Sequence, residues 1–444
     1  MDQRSQTISS EDRRQEPSRG HQQKLLILAL VPFIMVLGNS MLVPVLPKMM
    51  TVMHLSLFQV GLIITVFSIP AGIVIPLAGA LSDHVGRRVV IVPALIVYGA
   101  GGLAAGVSSW VFPHPFGWIM ASRLLQGIGA GGTYQLAMTV VGDMFQGKSR
   151  AGALGKLEAA NGLGKVVSPI AGSLLALIIW FAPFFAYGLL SFPIAAIVWW
   201  TIKEPAGQTS DQAFGSYWQG LKRTLTQKAG SIAITFLAGA LVLFILFGVL
   251  SYLADILEKT FKYHELMRGL LIAIPVLASA ISSYVSGTVL QKRLAQWSKP
   301  VLSGGLALIA LAMIAVPFFA VTSIAIALGI LVFQGIGTGS VLPAINTMVT
   351  SATSSKERGV VTSLYGSVRF FGVALGPPLF SMAMSHRYVV FWSAAGLAIV
   401  ASLLAWFFLN QHQMLPGPKG GGQVRPAKLG VQSGSSPGPR QHLS

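Results

Sequence analysis

Glu158 stands apart from the other acids of this chain. Only 13 Asp and Glu occur in 444 residues. Asp2, Glu11, Asp12 and Glu16 lie in the polar N-terminal segment, and Asp83, Glu204, Asp211, Glu258, Glu265 and Glu357 lie between apolar runs. Asp143 and Asp255 fall at the ends of such runs, whereas Glu158 sits inside one. Asn161, Gly162 and Lys165 follow it at i+3, i+4 and i+7. On a helix these four share one face. A carboxylate withdrawn from water beside cations can alternate between a protonated and an ion-paired state. Glu158 is therefore read as the group that takes a proton, with Lys165 or Arg369 competing for it. A static ion pair that fixes the helix is the alternative reading.

Residues that work in this way must be held inside a low-dielectric frame, and the composition supplies one. The chain is 53% apolar and only 10% charged, against about 25% charged in soluble domains. Apolar runs of spanning length fall near 24–46, 57–80, 89–110, 116–142, 152–176 and 181–202. They resume near 231–256, 269–290, 300–320, 322–349, 360–384 and 388–410. The fold class expected is an all-α membrane protein of about twelve transmembrane helices in two bundles of six.

The net charge of +18 does not form a nucleic-acid-binding stripe. The basic residues sit in short clusters between apolar runs, as topology signals do. Most of the 31 Lys and Arg fall on one side of the alternation, while Lys48, Lys259, Lys262, Arg268 and Arg387 fall on the other. That bias predicts a multi-pass protein of the cell (inner) membrane with both termini cytoplasmic. Residues 1–23 and 411–444 are read as disordered cytoplasmic tails, and 24–202 as the first bundle. Residues 203–230 are read as a cytoplasmic linker, with 214–228 as an amphipathic surface helix, and 231–410 as the second bundle.

The halves repeat. A shift of 208 positions, the distance from Gly79 to Gly287, superposes other landmarks too. It carries Gln126-Gly127-Ile128-Gly129 onto Gln334-Gly335-Ile336-Gly337, Arg150 onto Arg358 and Pro169 onto Pro377. A same-direction repeat implies two bundles related by an axis along the membrane normal.

Several chemistries are excluded. The chain has no cysteine, so it has no disulfide, thiolate metal site or cysteine nucleophile. Its eight His form no pair at metal-ligand spacing on a helix. No phosphate-cradling loop is present, so ATP is not the fuel. No metal, no cofactor and no enzymatic activity are expected.

Four motifs resemble those of a known family. Gly79-Ala80-Leu81-Ser82-Asp83-His84-Val85-Gly86-Arg87-Arg88 resembles the signature loop of the major facilitator superfamily. Arg123 to Gly132 resembles that family's R-x-x-Q-G-x-G-A helix. Gly162 to Gly172 resembles the antiporter motif of its drug:proton branch, with Ser168 in place of a usual Gly. Leu37 to Pro47 is similar to the first helix of exporters in that branch.

The resemblance implies a secondary transporter that moves a small amphipathic substrate across the bilayer, driven by the proton gradient. A monomer is expected because each chain contains both bundles. A lipid or glycolipid flippase, or a metabolite importer, is the alternative within the same fold. The resemblance makes Gly79, Asp83, Gly86, Arg87 and Arg88 a conformational latch between bundles. It makes Gly164, Pro169, Gly172, Gly376 and Pro377 a helix-packing motif. The substrate path is placed between the bundles, with Asn39, Arg123, Gln126, Tyr134, Met138, Asn161, Phe247, Gln334 and Asn346 as cavity candidates. An arginine at the depth of Arg123 costs at least ~2.5–3.5 kcal/mol, so a cavity or a partner is expected for it. Snorkelling to the outer interface is the other reading.

Overall fold

The computed structural model describes residues 19–145, 147–202, 229–351 and 358–410. For 19, 147–152, 288–295, 358 and 360 it describes the backbone alone. The tails, nearly all of the 203–230 linker and its surface helix lie outside these residues. So do the side chains of Arg150 and Arg358.

Thirteen helices form the described part. They are α1 (Arg19–Ser40), α2 (Leu46–Met53), α3 (Leu57–Val85), α4 (Arg87–Val111), α5 (Phe116–Gly131), α6 (Tyr134–Met144), α7 (Gly147–Ile178) and α8 (Ala182–Thr201). The second half holds α9 (Ala229–Lys259), α10 (Glu265–Phe319), α11 (Ile324–Ser351), α12 (Arg358–Ser381) and α13 (Ala383–Phe408). Ten stretches among the described residues are long and apolar enough to cross a membrane. Two more crossings complete the set, one broken and one less apolar. The broken one is α5 plus α6, and the less apolar one is α12, which carries Arg369. The run α10 accounts for two crossings, 265–287 and 296–319.

Two spans depart from the straight helices expected from their apolar runs. The first crossing extends to Met53 rather than ending near residue 46, and it breaks after Ser40. A 3-10 turn at Val43–Val45 follows, with Pro44 inside it and Pro47 at the start of α2. Proline has no N–H to donate, so it interrupts the helical ladder. The fourth crossing breaks at Gly132-Thr133 between α5 and α6, where Thr133 Oγ1 turns back to bond Ala130 O at 2.6 Å. Glycine lowers the helical propensity at that point.

Large side chains such as Trp110, Trp200, Phe407 and Phe408 point outward. A water-soluble monomer does not tolerate an apolar surface this continuous; a bilayer solvates it.

The repeat holds at the level of single contacts. Gly127 lies against the carbonyl of Phe67, and its partner under the 208 shift, Gly335, lies against the carbonyl of Pro275. Gly61 lies against Pro378, 2.7 Å from its nitrogen to where a Cβ would stand, and Gly269 lies against Pro169. Both members of the last two pairs cross between the halves. The bundles therefore meet along α3–α12 and α7–α10, two images of one interface.

Gly172 fits against the Met41 carbonyl where the first crossing breaks. A side chain there would occupy the space of that backbone atom. Gly172→Val is expected to destabilise the chain by at least about 2 kcal/mol, as overpacking does. Thermal unfolding in detergent measures this, and an unchanged midpoint would contradict the packing.

Because the chain crosses an even number of times, both ends of the described core lie on one side, the terminal face. The opposite side is the far face.

Candidate functional site

The site lies between the bundles. A half-open cavity, about 580 Å³ with the open solvent at its mouth included, is lined from the first half by Met35, Val36, Asn39, Phe67, Tyr134, Gln135, Asn161 and Lys165. The second half contributes Leu243, Phe247, Gly366, Arg369, Phe370 and Val373. A second, apolar cavity shares Lys165 and Phe247 with it and reaches the break in the first crossing at Ser40 and Val43. Small residues bring these walls together. Gly164 packs against Val36, and Gly376 packs against the Phe244 carbonyl, which would lie 2.6 Å from a Cβ at that position. The helix-packing candidates thus set the spacing of the helices around the cavity, with Pro169 and Pro377 on the two bundle interfaces.

Glu158 sits just behind the cavity wall. It accepts a short hydrogen bond from the Tyr134 hydroxyl, which bridges α6 and α7. Lys165 lies in the field of Glu158 and Arg369. Arg369 lies in the field of Tyr365, Glu158 and Tyr134, and its guanidinium stands 5.4 Å from the centre of the Tyr365 ring. Among the described residues no ion pair joins the three charges. One carboxylate thus faces two cations without being bound to either. Asn161 adds an amide to the same wall.

Arg123 has a different place. It is fully buried and does not line this cavity. Its Nε donates to Ile63 O at 3.1 Å, and Nη1 donates to Gly38 O at 3.0 Å and Gln126 Oε1 at 2.6 Å. Nη2 donates to Asn39 Oδ1, and the guanidinium lies 4.3 Å from the centre of the Phe67 ring. The arginine therefore clamps α1, α3 and α5 together just before the break in the first crossing. Asn39 is held by that clamp and by Ser68 at 3.2 Å while facing the cavity. Gln126 is buried beside Arg123, and Gln334 is buried and bonded to Thr338 at 2.9 Å. Met138 packs on the core, and Asn346 lies on α11 and is not among the lining residues of this cavity. Sequence reading missed Gln135 and Phe370. Gln135 sits next to Tyr134, and Phe370 next to Arg369.

The signature loop is built from close local contacts. Gly86 has φ of 100°, a conformation that favours glycine. Arg87 pairs with Asp83 at 3.2 Å and with Asp143 of α6 at 2.9 Å. Arg88 lies over the Trp199 ring at 4.3 Å and bonds the carbonyls of Trp199 and Ile202 at the end of α8. These contacts tie α3, α4, α6 and α8 within the first bundle. Residues 352–357, which precede α12, lie outside the described residues, and Gly79 is half-buried near the end of α3.

A family model described as Major Facilitator Superfamily matches residues 28–333 and 297–437. The chain belongs to the major facilitator superfamily. A bacillibactin exporter of Bacillus subtilis is 37% identical over 390 residues, covering 87% of this chain and 96% of that protein. Multidrug resistance protein 1 of the same organism is 27% identical over 387 residues, covering 86% and 96%. Among solved structures, a D-xylose–proton symporter superposes with a TM-score of 0.72 at 16% identity, covering 87% of this chain and 97% of that one. This major facilitator protein is a multi-pass membrane transporter, not an enzyme, and its curated relatives include efflux proteins.

Proposed function

We propose that the chain exports small amphipathic molecules by alternating access, driven by proton entry. The observation that carries this reading is the cavity shared by both bundles, with Glu158 behind its wall, bonded to Tyr134 and acting through space on Lys165 and Arg369. Met35, Phe67, Phe247 and Phe370 supply adaptable apolar contacts. Glu158 in its charged form draws Lys165, Arg369 or a donor group of the substrate. A proton arriving from the far side neutralises it, weakens that hold and leaves the substrate free to depart. Substrate and proton thus compete for one site, which is the condition for exchange. The efflux names among the relatives support the direction. The 37% relative supports a second reading, a single dedicated export substrate of the kind its name states.

Expression in a host stripped of its own exporters tests the proposal. Ethidium accumulation is expected to fall on expression and to recover when a protonophore collapses the gradient. Accumulation independent of expression for several unrelated dyes would overturn the broad-substrate reading.

A further inference from the structure

The smaller cavity differs from the larger one in kind. The larger carries amides and cations on its walls, from Asn39, Gln135, Asn161, Lys165 and Arg369. The smaller, about 310 Å³ with the open solvent at its mouth included, exposes no polar atom. Its walls are Val43 at the break in the first crossing, Pro169 on α7, Leu246 and Leu250 on α9, and Ile272 and Val276 on α10. Ser40 and Lys165 also border it but show it carbon only, so Lys165 lends its hydrocarbon stem. Lys165 and Phe247 line both cavities and mark the boundary between them.

The smaller cavity lies on the far-face side of the larger. Along α9, Leu243 lines the larger cavity, Phe247 both, and Leu250 the smaller, in the direction of Lys259. Beyond it the bundles are joined at the far face, where Lys48 of α2 pairs with Glu265 of α10 at 3.3 Å. Arg268 of α10 pairs there with Glu258 of α9. The smaller cavity is therefore a blind extension of the larger one. Its aliphatic walls are buried, so no lipid chain reaches it from the side. A space lined by carbon gives water no partner and stays dry. Walls that face a void forgo dispersion contacts, and hydrocarbon restores them.

We propose, on the reading that the larger cavity holds the substrate, that the smaller one is a subsite for the substrate's apolar arm. An unbranched alkyl arm passes Phe247 and fills the carbon-lined space, while the polar head stays among the amides and cations of the larger cavity. The substrate class narrows to an elongated amphiphile with a polar head at one end and an apolar arm of limited length at the other. Each methylene seated in the subsite tightens binding by about fourfold. An arm longer than the blind end allows gains nothing further, because extra carbon in a filled space is overpacked.

The n-alkyl esters of 4-hydroxybenzoate, from methyl to heptyl, keep one polar head and vary only the arm. Their binding to the full chain in lipid nanodiscs is read from thermal unfolding against free ester concentration, with no gradient present. Affinity is expected to climb about fourfold per methylene and then to level off at one chain length. Val276→Phe fills the subsite and should bring the plateau about one carbon or more earlier. Ile272→Ala enlarges it and should bring the plateau later. Lost packing alone would weaken every ester together and could not move the plateau in opposite directions. A flat series, a plateau at the same length in all three proteins, or an unbroken climb of the kind bilayer partitioning gives would overturn the proposal. If Val276→Phe does not assemble, Ile272→Ala decides: a later plateau supports the subsite, and an unmoved one refutes it. Opposite shifts in a protein that moves no protons would sink the export reading and leave the subsite. Proton-driven ethidium export with unmoved plateaus would do the reverse.

Discussion

Arg123→Met is expected to unfold the first bundle's core rather than to impair one transport step. Methionine fills much of the volume but donates nothing. The carbonyls of Gly38 and Ile63 and the side chains of Asn39 and Gln126 would lose their guanidinium donor. Each acceptor left without a donor in a buried place costs about 1–3 kcal/mol. Relaxation around the cavity recovers part of this sum, and a net loss of about 3–5 kcal/mol is the expected result. Thermal unfolding and monodispersity in detergent check it. Arg123→Lys keeps the charge but not the planar fork, so it should fall between the two. A fully stable Arg123→Met protein that fails only to bind substrate would return this arginine to the substrate path.

Glu158→Gln is expected to separate substrate movement from the proton gradient. Glutamine keeps an acceptor for the Tyr134 hydroxyl, so the cavity wall should persist. It has no charge to lose or gain, so Lys165 and Arg369 would no longer see a change across the cycle. Gradient-driven transport should fall by at least about tenfold, equivalent to ~1.4 kcal/mol, while substrate exchange at equal pH continues. Tyr134→Phe leaves the carboxylate titratable and should have the smaller effect. Equal loss of exchange and of driven transport in Glu158→Gln would assign the carboxylate to substrate binding or to structure.

The repeat was legible because it rests on backbone contact. Glycines such as Gly127 and Gly335 mark places where two helices touch without side chains, and their spacing survives in sequence. The matched Gly61 and Gly269 obey the same shift, yet without motif neighbours they carried no signal of their own. The face shared by Glu158, Asn161 and Lys165 was also legible, since helical periodicity alone aligns them. The position of Arg123 was not. Its acceptors include two main-chain carbonyls, of Gly38 and Ile63, and any residue type supplies a carbonyl. The break at Gly132-Thr133 had a visible cause in adjacent glycines but lay inside an unbroken apolar run. The far-face charges read as ordinary loop residues. Only the turn between α9 and α10 brings Glu258 back onto Arg268, and only bundle packing brings Lys48 to Glu265.

The central claim is that substrate and proton exchange through the cavity held by both bundles. The most direct measurement uses purified protein in vesicles containing a trapped pH dye, with ethidium or another transported compound added on one side and no imposed gradient. The account predicts proton movement opposite to the substrate and its disappearance in Glu158→Gln. Substrate movement by the unaltered protein with no accompanying proton movement would contradict it.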